Sequence, residues 1–267
     1  MQKEKSSGLR VVSLGPSVTS ILVALGAKDR LVGVTKWCKD VVAPSAVRGL
    51  PELGDCWNFD AEQVLRLNPT LVIGSVPYKA ELIASLLRAP VPFLATNPRT
   101  LEDIYREIQL LGSIVGRTRA AARLVRRMKQ KFARLARQAD KRHRRPRVYA
   151  EAWPNPRISS PPWVAELISL LGGEMVVPAG EKVTDEQIVR AQPEVILLAW
   201  AAAGDRPRAQ REAERMASRP GWRELPAIRN RRVYVVRDEW LNTPGPPLLH
   251  GARALQKILG SAAADSQ

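Results

Sequence analysis

One segment of this sequence occurs twice, and that repetition constrains the fold more than any other feature. Residues 61–74 read AEQVLRLNPTLVIG and residues 185–198 read DEQIVRAQPEVILL, with Glu, Gln, Arg and Pro coincident and most other positions alike in kind. Each copy opens on helix-start chemistry: Asp60 is followed three residues later by Gln63, and Thr184 by Gln187, the spacing of a capping box. A weaker echo pairs residues 16–26 (PSVTSILVALG) with 162–172 (PWVAELISLLG). Two echoes in the same order imply a pseudo-duplicated pair of lobes, and the crevice between such lobes is the default place for a ligand.

Short β-branched runs alternate with helical patterns through both halves, the signature of α/β layers. The runs predict strands at 10–14, 31–35, 70–74 and 91–95, then at 147–150, 175–177, 194–199 and 232–236. Residues 17–25 read as a helix closed by Gly26. Between the halves, Ala121, Leu124, Val125, Met128, Phe132 and Leu135 recur at helical spacing. They predict one amphipathic helix of roughly 25 residues, ending before Pro146. The expected architecture is α/β: two α/β lobes, 10–115 and 146–260, joined by a backbone helix over 116–145, with tails at 1–9 and 261–267.

The formal charge of +16 is concentrated in that helix region. From Arg117 to Arg147 there are fourteen Lys or Arg against one acid, Asp140. A solvated helix face is the plainest reading. Attraction to anionic lipid or an acidic partner is the next. Nucleic acid is the least favoured, because no aromatic residues interleave the charges for base stacking.

Several classes of chemistry lack their residues. Two histidines, His143 and His250, and two cysteines, Cys38 and Cys56, match no zinc spacing or disulfide framework. The phosphate-binding and nucleophile-elbow glycine motifs are missing. No apolar run approaches the ~18 residues of a membrane span. Residues 1–10 with the following apolar stretch resemble a signal peptide only superficially, since Pro16 and Ser17 interrupt it. The expectation is a binding protein without catalysis, metal or visible leader.

At this point the sequence resembles a known family. VVSLGPSVTSILVALGA (11–27), VGVTKWC (32–38), FDAEQVLRLNPTLVIG (59–74), WVAELISLLGGE (163–174), VTDEQIVRAQPEVILL (183–198), LPAIRNRRVYVV (225–236) and LNTPGPPLLHG (241–251) carry the likeness. They resemble the ABC-transporter solute-binding proteins whose two lobes are joined by a backbone helix, and among these the cobalamin-binding proteins. The resemblance implies a monomeric clamp outside the cytoplasmic membrane that delivers a corrinoid to a permease; siderophore and haem receptors share the architecture, and an intracellular carrier is the alternative if there is no leader. It also implies that one glutamate per lobe contacts permease arginines, at Glu62 and Glu186. First-turn carboxylates are equally expected from the helix dipole. The chain departs from the family at Lys39-Asp40-Val41, where Asp-Tyr-Pro is common, and at Pro161-Pro162, where Gly-His is common.

Seven of the fourteen aromatic residues are Trp. Trp37, Trp57, Trp153, Trp163, Trp200 and Trp240 fall near predicted strand ends, the edge on which open α/β sheets bind ligands. Trp37, Trp57, Trp153 and Trp240 are the stronger ligand candidates, while Trp163 could be core and Trp222 reads as structural. Tyr78, Ser75 and Asn242 join them. Cys38 and Cys56, each beside a candidate Trp, could touch ligand, form a bridge, or serve as small buried apolar groups. A siderophore would need converging cations, for which Lys36, Lys39, Arg157 and Arg206 are available.

Overall fold

The computed structural model describes residues 8–139, 144–200 and 206–264. The strands are β1 Val11–Ser13, β2 Leu31–Thr35, β3 Glu52–Leu53, β4 Leu71–Ser75, β5 Phe93–Thr96, β6 Arg147–Pro154, β7 Arg157–Ser159, β8 Glu174–Met175, β9 Val195–Leu198 and β10 Val233–Val235. The helices are α1 Pro16–Ala24, α2 Cys38–Val41, α3 Pro44–Val47, α4 Ala61–Arg66, α5 Ala80–Leu87, α6 Leu101–Ile114, α7 Thr118–Ala139, α8 Pro162–Leu170, α9 Asp185–Ala191, α10 Arg206–Ala217, α11 Pro226–Arg229, α12 Asp238–Leu241 and α13 Leu248–Ala264. The chain divides into two compact units, 1–98 with 102–126 and 99–101 with 127–267, so the boundary falls inside α7.

Each unit is an α/β lobe built on a five-stranded sheet. The first has the order β3-β2-β1-β4-β5 with every neighbouring pair parallel. The second has the order β10-β9-β6-β7, with β8 beside the start of β6. Here β6, β8, β9 and β10 run parallel and β7 returns antiparallel. Parallel strands connected through helices bury both faces, which is why β1, β9 and the 148–150 stretch of β6 are buried. All eight sequence-predicted strands are present. β3 and β7, two and three residues long, were too short to carry an alternation signal.

The repeats reflect shared local geometry. In α4 and β4, as in α9 and β9, a capped helix leads to a parallel strand through a left-handed residue. Asn68 has φ +48° and Gln192 has φ +44°, at equivalent positions just before Pro69 and Pro193. Asp60 accepts from the backbone N–H of Glu62 and Gln63, while Thr184 and Gln187 close a full capping box. The weaker echo ends twice in one motif. Gly26 (φ +71°) and Gly172 (φ +80°) place the next N–H on Leu22 and Ile168, satisfying carbonyls that the helix end would leave orphaned.

The amphipathic reading of α7 is borne out. Ala121, Leu124, Val125, Met128, Phe132 and Leu135 are all buried.

Candidate functional site

Because the strands of the first sheet are parallel, the loops that follow them gather at one edge. After β3 the chain makes a tight loop at Gly54, where an added Cβ would lie 2.5 Å from the Asn58 carbonyl oxygen. Cys56 and Phe59 turn inward and anchor the loop. The Cys56 N–H donates to the Leu14 carbonyl (3.3 Å) and its carbonyl accepts from Lys79 N–H (3.1 Å), tying the loop to the end of β1 and the start of α5. Trp57 is left facing outward. Asp55 then orients two tryptophans: Oδ2 accepts from Trp37 Nε1 (3.2 Å) and Oδ1 from the Trp57 backbone N–H (2.9 Å). The Lys36 ammonium lies 4.6 Å from the Trp37 ring centre. Trp37 and Trp57 are 48% and 57% exposed, which places large apolar rings on the lobe surface.

The second lobe repeats the device with a buried acid. Glu151, inside the edge of β6, is fully buried. Its Oε2 accepts from Tyr149 Oη (2.6 Å) and from Arg157 Nη1 (3.4 Å), and its Oε1 from Trp200 Nε1 (2.7 Å). Arg157 also pairs with Asp185 (2.8 Å) and lies 5.2 Å from the Trp222 ring. Two residues beyond Glu151, Trp153 is 54% exposed with its indole N–H on the Asn155 carbonyl. Trp240, half-buried in α12, stacks on His250 at 5.7 Å between ring centres, with Arg237 at 5.5 Å. Asn242 donates to the Ala199 carbonyl (2.8 Å) and to Asp238 Oδ1 (2.6 Å), joining the loops after β9 and β10.

Each lobe therefore carries exposed indoles near the ends of its strands and a carboxylate that fixes a tryptophan there, Trp37 in the first lobe and half-buried Trp200 in the second, a surface that can hold a ligand by its faces. Compared with known proteins, residues 11–239 match the family of periplasmic binding proteins. The chain belongs to this family. It is a family of binding proteins rather than enzymes. The chain is 27% identical to an uncharacterized ABC transporter substrate-binding lipoprotein, YvrC, of Bacillus subtilis, covering 96% of this chain and 81% of that one. It is 26% identical to a vitamin B12-binding protein of Vibrio parahaemolyticus, covering 90% and 86%. Among solved structures, the periplasmic haem-binding protein RhuT of Roseiflexus superposes with a TM-score of 0.80 at 25% identity, covering 96% of this chain and 99% of that one.

In this periplasmic binding protein, several residues expected on a ligand surface instead pack the lobe interiors. Trp163 is buried and donates to the Leu241 carbonyl (2.8 Å), so its ring is a core strut between α8 and α12. Cys38 is buried with Sγ 3.0 Å from Thr19 Oγ1 and 3.3 Å from Thr35 Oγ1. Cys56 packs against Gly74, where an added Cβ would lie 2.5 Å from its sulfur. Both are free thiols, not a bridge. Burial raises both thiols, Cys56 to about 12, so neither is a reactive thiolate at neutral pH. Ser75 is buried under Gly15. Tyr78 keeps a half-buried ring, but its hydroxyl is spent on the Gly74 and Thr96 backbone. Trp222 is fully buried, as its turn position implied.

Glu62 and Glu186 are exposed in the first turns of α4 and α9, at repeat-equivalent positions. Glu62 faces Arg66 at 3.7 Å, and the Glu186 carboxyl is held below its ordinary range by Thr184 and its own backbone N–H. Sequence reasoning missed the braces, Asp55 and Glu151. Their signal was present: Asp55-Cys56-Trp57, on the loop after β3, and Glu151-Ala152-Trp153, near the end of β6, share the order acid, small residue, Trp.

Proposed function

We propose that this protein is an extracytoplasmic receptor that binds a corrinoid and delivers it to an ABC importer. The observation that carries the reading is the set of exposed indoles Trp37, Trp57 and Trp153, with half-buried Trp200 and Trp240, at or just beyond the ends of strands. Flat aromatic faces suit a large, mostly apolar macrocycle. The cations that an anionic siderophore would need are largely committed elsewhere. Arg157 is engaged by Glu151 and Asp185, Lys39 faces Glu52 at 3.9 Å, and Lys36 covers Trp37. Arg206 opens α10. Cys38, Cys56, Ser75 and Trp163 are left out of the proposed contacts, and Asn242 and Tyr78 act by bracing loops.

Haem is the second reading, favoured by the 0.80 superposition on a haem-binding protein. The hydroxyl of Tyr78, the tyrosine placed among the candidate residues, is already hydrogen-bonded inward, which weighs against it as an axial ligand. Glu62 and Glu186 are proposed as the permease contacts. The deciding experiment is Trp fluorescence of the purified protein titrated separately with cyanocobalamin, haemin and a ferric siderophore. Saturable quenching by cyanocobalamin at micromolar or lower concentration, lost in Trp57→Ala or Trp153→Ala, is expected. Saturation by haemin alone overturns the corrinoid assignment. Glu62→Arg with Glu186→Arg should abolish uptake in cells while leaving the titration unchanged.

A further inference from the structure

The receptor reading leaves the protein's strongest charge concentration unused. Structurally, the basic region splits into two parts. Arg144, Arg145 and Arg147 are spent within the second lobe. Arg144 pairs with Glu194, Arg145 donates to the Ser169 and Gly173 carbonyls, and Arg147 donates to the Ala191 carbonyl. They satisfy chain ends, and their charge does structural work. The arginines of α7 do not. Arg119, Arg123, Arg126, Arg127, Arg134 and Arg137 are all exposed. None of the six forms an ion pair among the described residues. At about 100° per residue they fall within an arc of about 100°, opposite the buried stripe. The helix contains no Asp or Glu, and at ~1.5 Å per residue it is about 33 Å long.

A second helix extends the same charge. α13 also contains no acid and exposes Arg253 and Lys257, one turn apart. It lies beside the end of α7, where Gln256 Nε2 donates to Gln138 Oε1 (3.4 Å). The Lys131 ammonium is held below its ordinary range by desolvation, then by the nearby charges of Arg134 and Arg253. Like charges are thus crowded where α7 and α13 meet.

Between the arginines, α7 exposes Ala122, Ala133, Gln130 and Gln138. It shows neither an exposed aromatic anchor of the sort that dominates protein interfaces nor a ring on which a base could stack. A long, smooth, uniformly positive strip fits a partner that is itself extended, fluid and negative. We propose that the outer face of α7, continued by Arg253 and Lys257 of α13, docks this protein against an anionic lipid bilayer. The proposal rests on the receptor reading in one respect, that a permease-delivering receptor works beside a membrane. Docking along α7 would hold the protein at the bilayer surface and turn its search for a permease into a two-dimensional one.

The test is co-sedimentation of the intact protein, without ligand, with vesicles of phosphatidylcholine alone or with about a third phosphatidylglycerol. Partition to the anionic vesicles should exceed that to the neutral ones by at least about tenfold at roughly 20 mM salt, since each clustered cation adds to the attraction. It should collapse at roughly 500 mM salt, where charges are screened within a few ångströms. Replacing Arg123, Arg126, Arg134 and Arg137 together by Glu should reduce binding to the neutral-vesicle level, and replacing the same four by Lys should preserve it. Arg253→Glu with Lys257→Glu should weaken it severalfold and tests the surface independently should the fourfold variant not fold. Equal binding to neutral vesicles overturns the proposal, as does undiminished binding by the folded Glu variants. So does tighter binding to mixed-sequence duplex DNA at the same salt. Vesicle binding with no cobalamin response supports this surface and overturns the corrinoid assignment alone.

Discussion

The two lobes brace their tryptophans with carboxylates placed in opposite environments. In the first, Asp55 is half-buried on a surface loop and holds Trp37 and the Trp57 backbone with ordinary hydrogen bonds. In the second, Glu151 is fully buried and carries Trp200, with Tyr149 and Arg157 satisfying its remaining lone pairs. A solvated acid can lose its partners and return to water. A buried one cannot, so removing it leaves buried donors without an acceptor. The first lobe has its own buried acid, Glu107 of α6, and the contrast is sharp. Its Oε1 has no hydrogen-bond partner among the described residues, and its carboxyl is pushed up to about 7, by desolvation against a smaller opposing hydrogen bond from Thr96. A guanidinium accompanies the buried acid in one lobe; in the other, desolvation pushes the buried carboxyl towards neutrality.

The largest expected effect is at Glu151. Glu151→Ala leaves the Tyr149 hydroxyl and the Trp200 indole without their acceptor and takes one of the two carboxylates from Arg157, and should cost about 3–5 kcal/mol in urea denaturation. A cost below about 1 kcal/mol would break the comparison. Glu107→Gln should act in the opposite direction. The folded carboxyl keeps its proton up to about pH 7, whereas the unfolded one releases it near its ordinary value of 4.5. Stability from this group is therefore fully present below that ordinary value and falls as pH rises towards 7. At 1.36 kcal/mol per unit, the loss is about 3 kcal/mol. Glu107→Gln should be more stable than the parent at pH 8 by an amount of that order, and should lack the slope; an unchanged pH profile would show that the carboxyl is paired. Asp55→Ala should cost only about 1 kcal/mol in stability, while weakening corrinoid quenching severalfold through looser Trp37 and Trp57. Smallest of all, Trp57→Ala should leave the denaturation midpoint within about 0.5 kcal/mol of the parent, yet remove most of the ligand-induced quenching. A large stability loss there would place the ring in the core.

Much of the fold was legible because its signals are local. The helix caps at Asp60 and Thr184, the terminators Gly26 and Gly172, and the stripe along α7 each need only a few neighbouring residues to be read. The candidate site was legible only in part. Nearness to a strand end picked out Trp37, Trp57 and Trp153, which are exposed, but the same criterion included Trp163 and the two cysteines, which face inward. Side-chain direction on a loop or a first helical turn depends on what packs behind it, and no short pattern encodes that.

From the sequence alone came the duplicated α/β halves, the strands, the long basic helix and the tryptophan-rich strand ends, because periodicity and capping act within a few residues of chain. Only the tertiary structure decided which cations are spent and which are free for a partner. Arg144, Arg145 and Arg147 are tied up by contacts with residues 24 to 50 positions away, while the equally basic face of α7 was left to solvent. It likewise decided that Asp55 and Glu151, alike in sequence context, are a solvated brace and a buried one. Desolvation depends on the whole surrounding fold, and so do the charge state and the energetic weight of an ionisable side chain.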